Sequence, residues 1–325
     1  MTTYWQDYTP NFMEDVGFGI EIECFIPDTT TKRAVLENAG IAPEDIHDRY
    51  GNYNKWQLET DCSLNSKRGF LNTEFVSPVL HGQEGLELVR KVIRSIKESG
   101  GVVTKRCGIH VHYGFKDFLN PGIDTPIKTS ERVKISNNVA NMFTEFDQSF
   151  MLIVAKHRSE DCHYCTRKKD YCEADGKRAI DNAQKHFESD RYVAAHTSHG
   201  WALNLYALTN WSCTRPTVEF RLLENCLDED KIVTWIWLCQ RFLHRALTHS
   251  TKKCTRTRKF SELIKFLDCT YSNKNRNEQT AGFVNYLNRM AKKRSSREHP
   301  YNVPHCHFAN YIRPKKFRTI RSESC

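Results

Sequence analysis

Three pairs of polar residues, each pair two positions apart, carry most of the chemistry this sequence offers. Glu21-x-Glu23 sits in GFGIEIECFI (17–26), His110-x-His112 in GIHVHYGF (108–115), and Glu219-x-Arg221 in TVEFRL (217–222). In an extended chain residues i and i+2 leave the same face, roughly 6.5–7 Å apart along the backbone, so each pair presents two functional groups side by side. Two carboxylates at that span bridge one hard cation or a pair of cations. Two imidazoles suit a transition metal or a phosphate, and a carboxylate beside a permanent cation is either a same-face ion pair or part of an anion site. Taken singly, each pair is also what the solvated face of an alternating strand looks like.

The elements that must position these pairs are legible from the alternate positions. Phe18, Ile20, Ile22, Cys24 and Ile26 back the first pair, Ile109, Val111, Tyr113 and Phe115 the second, and Val218, Phe220 and Leu222 the third. A period of two with one apolar side predicts three strands, each buried on one face. ALNLYAL (202–208) predicts a fourth, with Asn204 and Tyr206 opposite Leu203 and Leu205. Weaker strands are expected over 55–60 and over 72–77, the latter carrying Glu74 and closed by Pro78. Helical spacing predicts helices over 84–99, ending at Gly100-Gly101, over 130–156, 228–247, 261–268 and 280–293. Strands and helices mix without strict alternation, which favours an α+β domain with a mainly antiparallel sheet covered by helices on one face.

If the strands share that sheet, its open face carries Glu21, Glu23, Glu74, His110, His112, Glu219 and Arg221, with Asn204 beside them. Carboxylates crowded in this way repel one another unless cations are present, whereas Arg and His suit an anion with several oxygens. A metal-bound polyphosphate satisfies both, and ATP with Mg²⁺ is the economical choice. No Walker-type phosphate loop, Rossmann glycine fingerprint, protein-kinase signature, HExxH or G-x-S-x-G motif occurs, so a nucleotide would lie on the sheet surface.

The chain has 325 residues, 39% hydrophobic and 27% charged, a composition for a globular fold of one large or two medium domains. No run of 18 apolar residues occurs and the first residues lack a basic and an apolar leader region, so neither a membrane span nor a secretory signal is expected. Thirteen cysteines without such a signal predict a cytoplasmic protein with no structural disulfides. The net charge of +9 arises after Arg245, where Lys252-Lys253, Arg258-Lys259, Lys292-Lys293-Arg294 and Lys315-Lys316 cluster. That stretch is either a solvated basic face or an attachment point for a polyanionic or macromolecular partner. The expected organisation is a catalytic domain over 1–248 and a basic, helical, partly disordered extension over 249–325. A Cys-rich insertion over about 157–200 holds His157, Cys162, Cys165 and Cys172, whose spacing fits either a structural Zn²⁺ site or free thiols in a basic loop.

Five short motifs in order resemble the amidoligase family, carboxylate-amine ligases whose catalytic domain is similar to glutamine synthetase and glutamate–cysteine ligase. They are Gly19-Ile20-Glu21-Ile22-Glu23, then Trp56 with Asp61-Cys62-Ser63-Leu64, Glu74-Phe75-Val76-Ser77-Pro78, Cys107-Gly108-Ile109-His110-Val111-His112 and Thr217-Val218-Glu219-Phe220-Arg221. The resemblance implies a glutamine synthetase-like fold, a curved antiparallel sheet with helices on its convex face and ATP with Mg²⁺ or Mn²⁺ on its concave face. It implies that a carboxylate is phosphorylated to an acyl phosphate, which an amine then converts to an amide or isopeptide. Carried over by motif, Glu21, Glu23 and Glu74 are metal ligands and Glu219 a ligand of the nucleotide's metal. His110 contacts phosphate or its metal, and Arg221 neutralises the phosphoryl group in transfer. His112, Asp61 and Asn204 are left for nucleotide, substrate or outer roles; no residue is assigned as base for the amine. The acid and amine are small molecules, peptides or protein side chains. Two other classes compete: a metal-dependent hydrolase using Glu21, Glu23, His110 and His112 without ATP, and a nucleic-acid-binding protein using the cysteine cluster and basic stretch.

Overall fold

The structure is a computed structural model that describes residues 16–48, 53–114, 136, 138–140, 142–143, 145–159, 202–209, 216–248, 259–267 and 278–295. Among them, seven strands form one sheet: β1 (Phe18–Pro27), β2 (Ile46–His47), β3 (Trp56–Glu59), β4 (Phe70–Val76), β5 (Gly108–Gly114), β6 (Leu203–Asn204) and β7 (Thr217–Glu224). The order across the sheet is β2-β3-β4-β1-β5-β7-β6. Only β2 and β3 pair parallel; all other neighbours are antiparallel. The expected mixed fold with a mainly antiparallel sheet is therefore present.

The helices are α1 (Lys32–Asn38), α2 (Gly82–Glu98), α3 (Asp147–Met151), α4 (Lys156–Ser159), α5 (Tyr206–Thr209), α6 (Glu229–Thr248), α7 (Phe260–Phe266) and α8 (Glu278–Ser295). Thr31 caps α1 by accepting the Ala34 N–H at 3.1 Å. The end of α2 is the one its sequence specifies. Gly100, at φ +76°, reverses the chain so that its N–H reaches the Lys97 carbonyl and the Gly101 N–H the Ile96 carbonyl.

One core is shared by the apolar face of the sheet and the helices laid over it. Ile20, Ile22, Ile109, Val111, Val218 and Phe220 are buried against Leu86, Val89 and Ile93 of α2 and Ile232, Trp235 and Phe242 of α6. The Tyr113 hydroxyl crosses this layer to donate to the Ile236 carbonyl at 2.5 Å. Phe143, Phe150, Phe220 and Phe242 form an aromatic knot beneath β7, with edge-on and tilted pairs from 4.9 to 6.3 Å. The helices of the basic C-terminal stretch also touch this body. Arg241 and Arg245 of α6 donate to the carbonyls of Leu267 and Phe266 after and within α7, and Tyr286 of α8 donates to Asp228.

Two elements differ from the sequence pattern. The alternation over 202–208 predicts a full strand, yet only Leu203 and Asn204 pair with β7, and the chain then turns into α5. Leu205 and Leu208 are both buried, and a separation of three places them together on a helical turn but on opposite sides of a strand. The helix expected over 130–156 is not continuous either, since the chain leaves helical geometry at Phe146 and again between α3 and α4.

Candidate functional site

Register alone brings the polar residues together. Across β3, β4 and β1, Glu59 lies opposite Glu74 and Glu74 opposite Glu23. One step along, Glu21 of β1 pairs with His110 of β5, and a further step places His112 opposite Glu219 of β7 and Glu219 opposite Asn204 of β6. Paired residues of an antiparallel sheet project to the same side, so six strands deliver these groups to the face opposite α2 and α6.

His110 is the centre of the cluster and is almost completely buried. Its Nδ1 lies 2.8 Å from Glu21 Oε2 and 3.7 Å from Glu219 Oε1, and its Nε2 lies 3.3 Å from Glu23 Oε1. Among the described residues two sets of three could hold a cation, Glu21 with His110 and Glu219, and Glu23 with Glu74 and His110; the donor atoms of each set lie within 4.8 Å of one another. Four carboxylates and a shared imidazole are a donor set for Mg²⁺ or Mn²⁺, with the nitrogen better suited to Mn²⁺. His112 sits at the rim, its Nε2 3.0 Å from Glu21 Oε1. Glu219 is held from two sides, by Asn204 Nδ2 at 2.6 Å and by the Arg221 guanidinium. Glu23 is fixed by the Gly108 N–H at 2.6 Å.

The electrostatics are those of a site short of positive charge. Burial pushes the Glu74 carboxyl up, repulsion from Glu21, Glu23 and Asp61 adds to it, and despite Arg221 it reaches about 9. His112 is driven down by burial but up further by Glu21 and Glu219, to about 9. The same contacts act on Glu21 in reverse. Its burial penalty is outweighed by the charge of His112 and hydrogen bonds from both histidines, which hold it well below the usual carboxylate range. Arg221 is raised although burial opposes it, because Glu219, Glu21 and Glu23 surround it. A carboxyl that keeps its proton to about pH 9 beside two more carboxylates is what a cation would relieve, so the residues fit a divalent metal.

The site therefore unites Glu21, Glu23, Glu74, His110, His112, Asn204, Glu219 and Arg221. Asp61 is engaged nearby, accepting from Ser63 N at 2.7 Å and Ser63 Oγ at 2.5 Å, and reaches the cluster through its charge on Glu74. Cys162, Cys165 and Cys172 lie outside the described residues, and His157 lies on α4. Glu59 belongs to the row of Glu74 and Glu23 and was identifiable only as part of a weak strand. Arg158, Glu224 and Lys231 also border the site. No spacing marks them: Glu224 ends β7 itself, and Arg158 and Lys231 reach that strand from α4 and α6.

Residues 14–243 match the family model described as "Putative amidoligase enzyme". No curated protein matches the chain. Among solved structures, a bifunctional glutathione synthetase from Pasteurella multocida aligns with 11% identity and a TM-score of 0.42, over 88% of this chain. The chain spans about half of that protein's length, 48%.

Proposed function

The chain belongs to the amidoligase family, and from that premise we propose that it is an ATP-dependent carboxylate-amine ligase built on a glutamine synthetase-like domain. The observation that carries this reading is the convergence of Glu21, Glu23, Glu74, Glu219 and His110 in two adjoining three-residue clusters with Arg221 beside them. The reaction consumes a carboxylate, ATP and an amine. A carboxylate oxygen attacks the γ-phosphorus with departure of ADP; the amine nitrogen then attacks the acyl carbon, phosphate leaves, and the nitrogen loses a proton. Divalent metal, when bound, supplies positive charge to the phosphoryl oxygens and the leaving diphosphate.

The chain's own residues divide the remaining work. Glu21 and Glu219 would hold one cation and Glu23 and Glu74 another, and His110, whose neutral ring offers a single lone pair, would complete one of the two. Asn204 fixes the rotamer of Glu219 so that one carboxylate oxygen stays turned toward His110 and Arg221. Arg221 keeps its charge at every working pH and, on release from Glu219 to a metal-bound phosphate, would neutralise oxygens that the carboxylates cannot.

Thermal unfolding with Mn²⁺ and a non-hydrolysable ATP analogue, together and separately, tests this reading. A ligand confined to the folded state at about 100 times its Kd adds about 2.7 kcal/mol, a shift of several degrees. The expected result is a rise that needs both ligands and disappears in Glu219→Ala. Stabilisation by metal with no response to nucleotide would replace the ligase with the metal-dependent hydrolase.

A further inference from the structure

The catalytic strand β7 is not regular. Ile109 of β5 pairs with Leu223 and Val111 with Phe220, so the single residue His110 stands opposite two residues of β7, Arg221 and Leu222. This bulge interrupts the ladder at the point where the strand must aim Glu219 and Arg221 into the site, so the backbone carbonyls there do not rest on regular pairing alone. A buried carbonyl without a donor is costly, so something must meet these groups.

Arg158 meets them. Its side chain comes from α4, is 1% exposed, and ranks among the largest fully buried side chains of the protein. Nη2 donates to the Arg221 carbonyl at 2.7 Å, with longer contacts to Leu223 O at 3.5 Å and from Nε to Leu222 O at 3.4 Å. One guanidinium thus spans three successive carbonyls, those of the two bulge residues and of Leu223 after them, a task for a rigid planar fork and not for a point charge. The helix that carries it is docked to the same strand a second time: Glu224 accepts the Ala155 N–H at 2.7 Å and pairs with Lys231 of α6.

Gly108 shows how closely this guanidinium approaches the cluster. A Cβ on Gly108 would lie 2.7 Å from Arg158 Nη2, 3.0 Å from His110 Nε2 and 3.4 Å from Glu23 Oε2. Only a residue without a side chain leaves room there for the guanidinium, the imidazole and the carboxylate together. We propose that Arg158 is a positioning residue: by holding the carbonyls of Arg221, Leu222 and Leu223 it fixes the β7 bulge, and through it the direction in which Glu219 and Arg221 face His110. This extends the metal-site reading above to a residue that touches neither metal nor substrate.

The test uses the full chain with Arg158→Lys, which keeps the charge and loses the fork, and reads amide hydrogen exchange together with Mn²⁺ affinity. The expected result is exchange at least tenfold faster at residues 220–223 with β4 unchanged, and Mn²⁺ binding weakened about tenfold. In a Glu219→Gln background Arg158→Lys weakens Mn²⁺ no further, whereas in a Glu74→Gln background the tenfold loss remains. Equal acceleration throughout the sheet, or losses that multiply fully in the Glu219→Gln background, would overturn the proposal in favour of general stabilisation. Absence of Mn²⁺ binding in the wild-type chain would remove the metal reading, and the exchange pattern would then decide the role of Arg158 alone. If Arg158→Lys does not fold, the wild-type guanidinium protons decide: protection matching the Arg221 and Leu222 amides supports the proposal, and rapid exchange overturns it.

Discussion

Binding of a divalent cation at neutral pH is expected to expel protons from the site, and the count is set by Glu74. Its carboxyl is pushed up to about 9 by burial and by Glu21, Glu23 and Asp61, so at pH 7.5 the metal-free protein holds nearly a full proton there. A cation between Glu23 and Glu74 requires the ionised form. Removing the proton at pH 7.5 costs roughly 1.5 pKa units, about 2 kcal/mol, so Mn²⁺ is expected to bind about 30-fold more weakly at pH 7.5 than above pH 9. His112, also raised to about 9, adds up to one further proton when a cation at Glu21 and Glu219 removes the charges that hold it protonated. Titration calorimetry of Mn²⁺ in buffers of different ionisation enthalpy counts the protons directly. The wild type is expected to release between one and two, and Glu74→Gln about one fewer. An unchanged count in Glu74→Gln, or no release between pH 7 and 8, would refute the assignment of Glu74 to the metal.

Other consequences follow from the same geometry. Arg221→Ala is expected to retain Mn²⁺ binding and to lose the nucleotide-dependent part of the thermal shift; an undiminished nucleotide response would exclude Arg221 from phosphate recognition. Gly108→Ala places a methyl group 2.7 Å from Arg158 Nη2, and overpacking there is expected to cost about 1–3 kcal/mol in urea unfolding; a loss under half a kcal/mol would mean that the guanidinium moves aside freely. Without metal, the fold should weaken as pH rises from about 6.5 to 9. Both Glu74 and His112 have folded-state values raised to about 9, so the folded state binds more protons than the unfolded one across that window, and stability falls until they are released. Urea midpoints measured in chelator across that range test the sign, and Glu74→Gln should flatten the slope.

The sequence was most readable where a strand is buried on one face only. In β1 and β5 the alternation of Ile20, Ile22, Ile109 and Val111 with Glu21, Glu23, His110 and His112 is reproduced residue for residue, because a slip of one position would bury four charged or polar groups in the apolar layer. The stop of α2 at Gly100-Gly101 was equally plain, since it rests on local backbone chemistry. Where a segment is short and at the sheet edge, as at residues 202–208, alternation misleads: two residues suffice to pair with β7, and burial of Leu205 with Leu208 then selects a helical turn.

By itself, then, the chain determined which residues face the site on each strand, because side-chain direction in a buried strand is a period-two property that neighbours in sequence define. It did not determine which strands are adjacent. That β4 lies beside β1, so that Glu74 crowds Glu23 and keeps its proton, is a product of sheet order. Nor did it contain the bulge of β7, which exists only as a mismatch in register between two strands, or the arrival of Arg158 beside it from a helix 62 residues before Phe220. Contacts of this kind have no local signal: they are fixed when the helices close over the sheet and every buried carbonyl must find a donor.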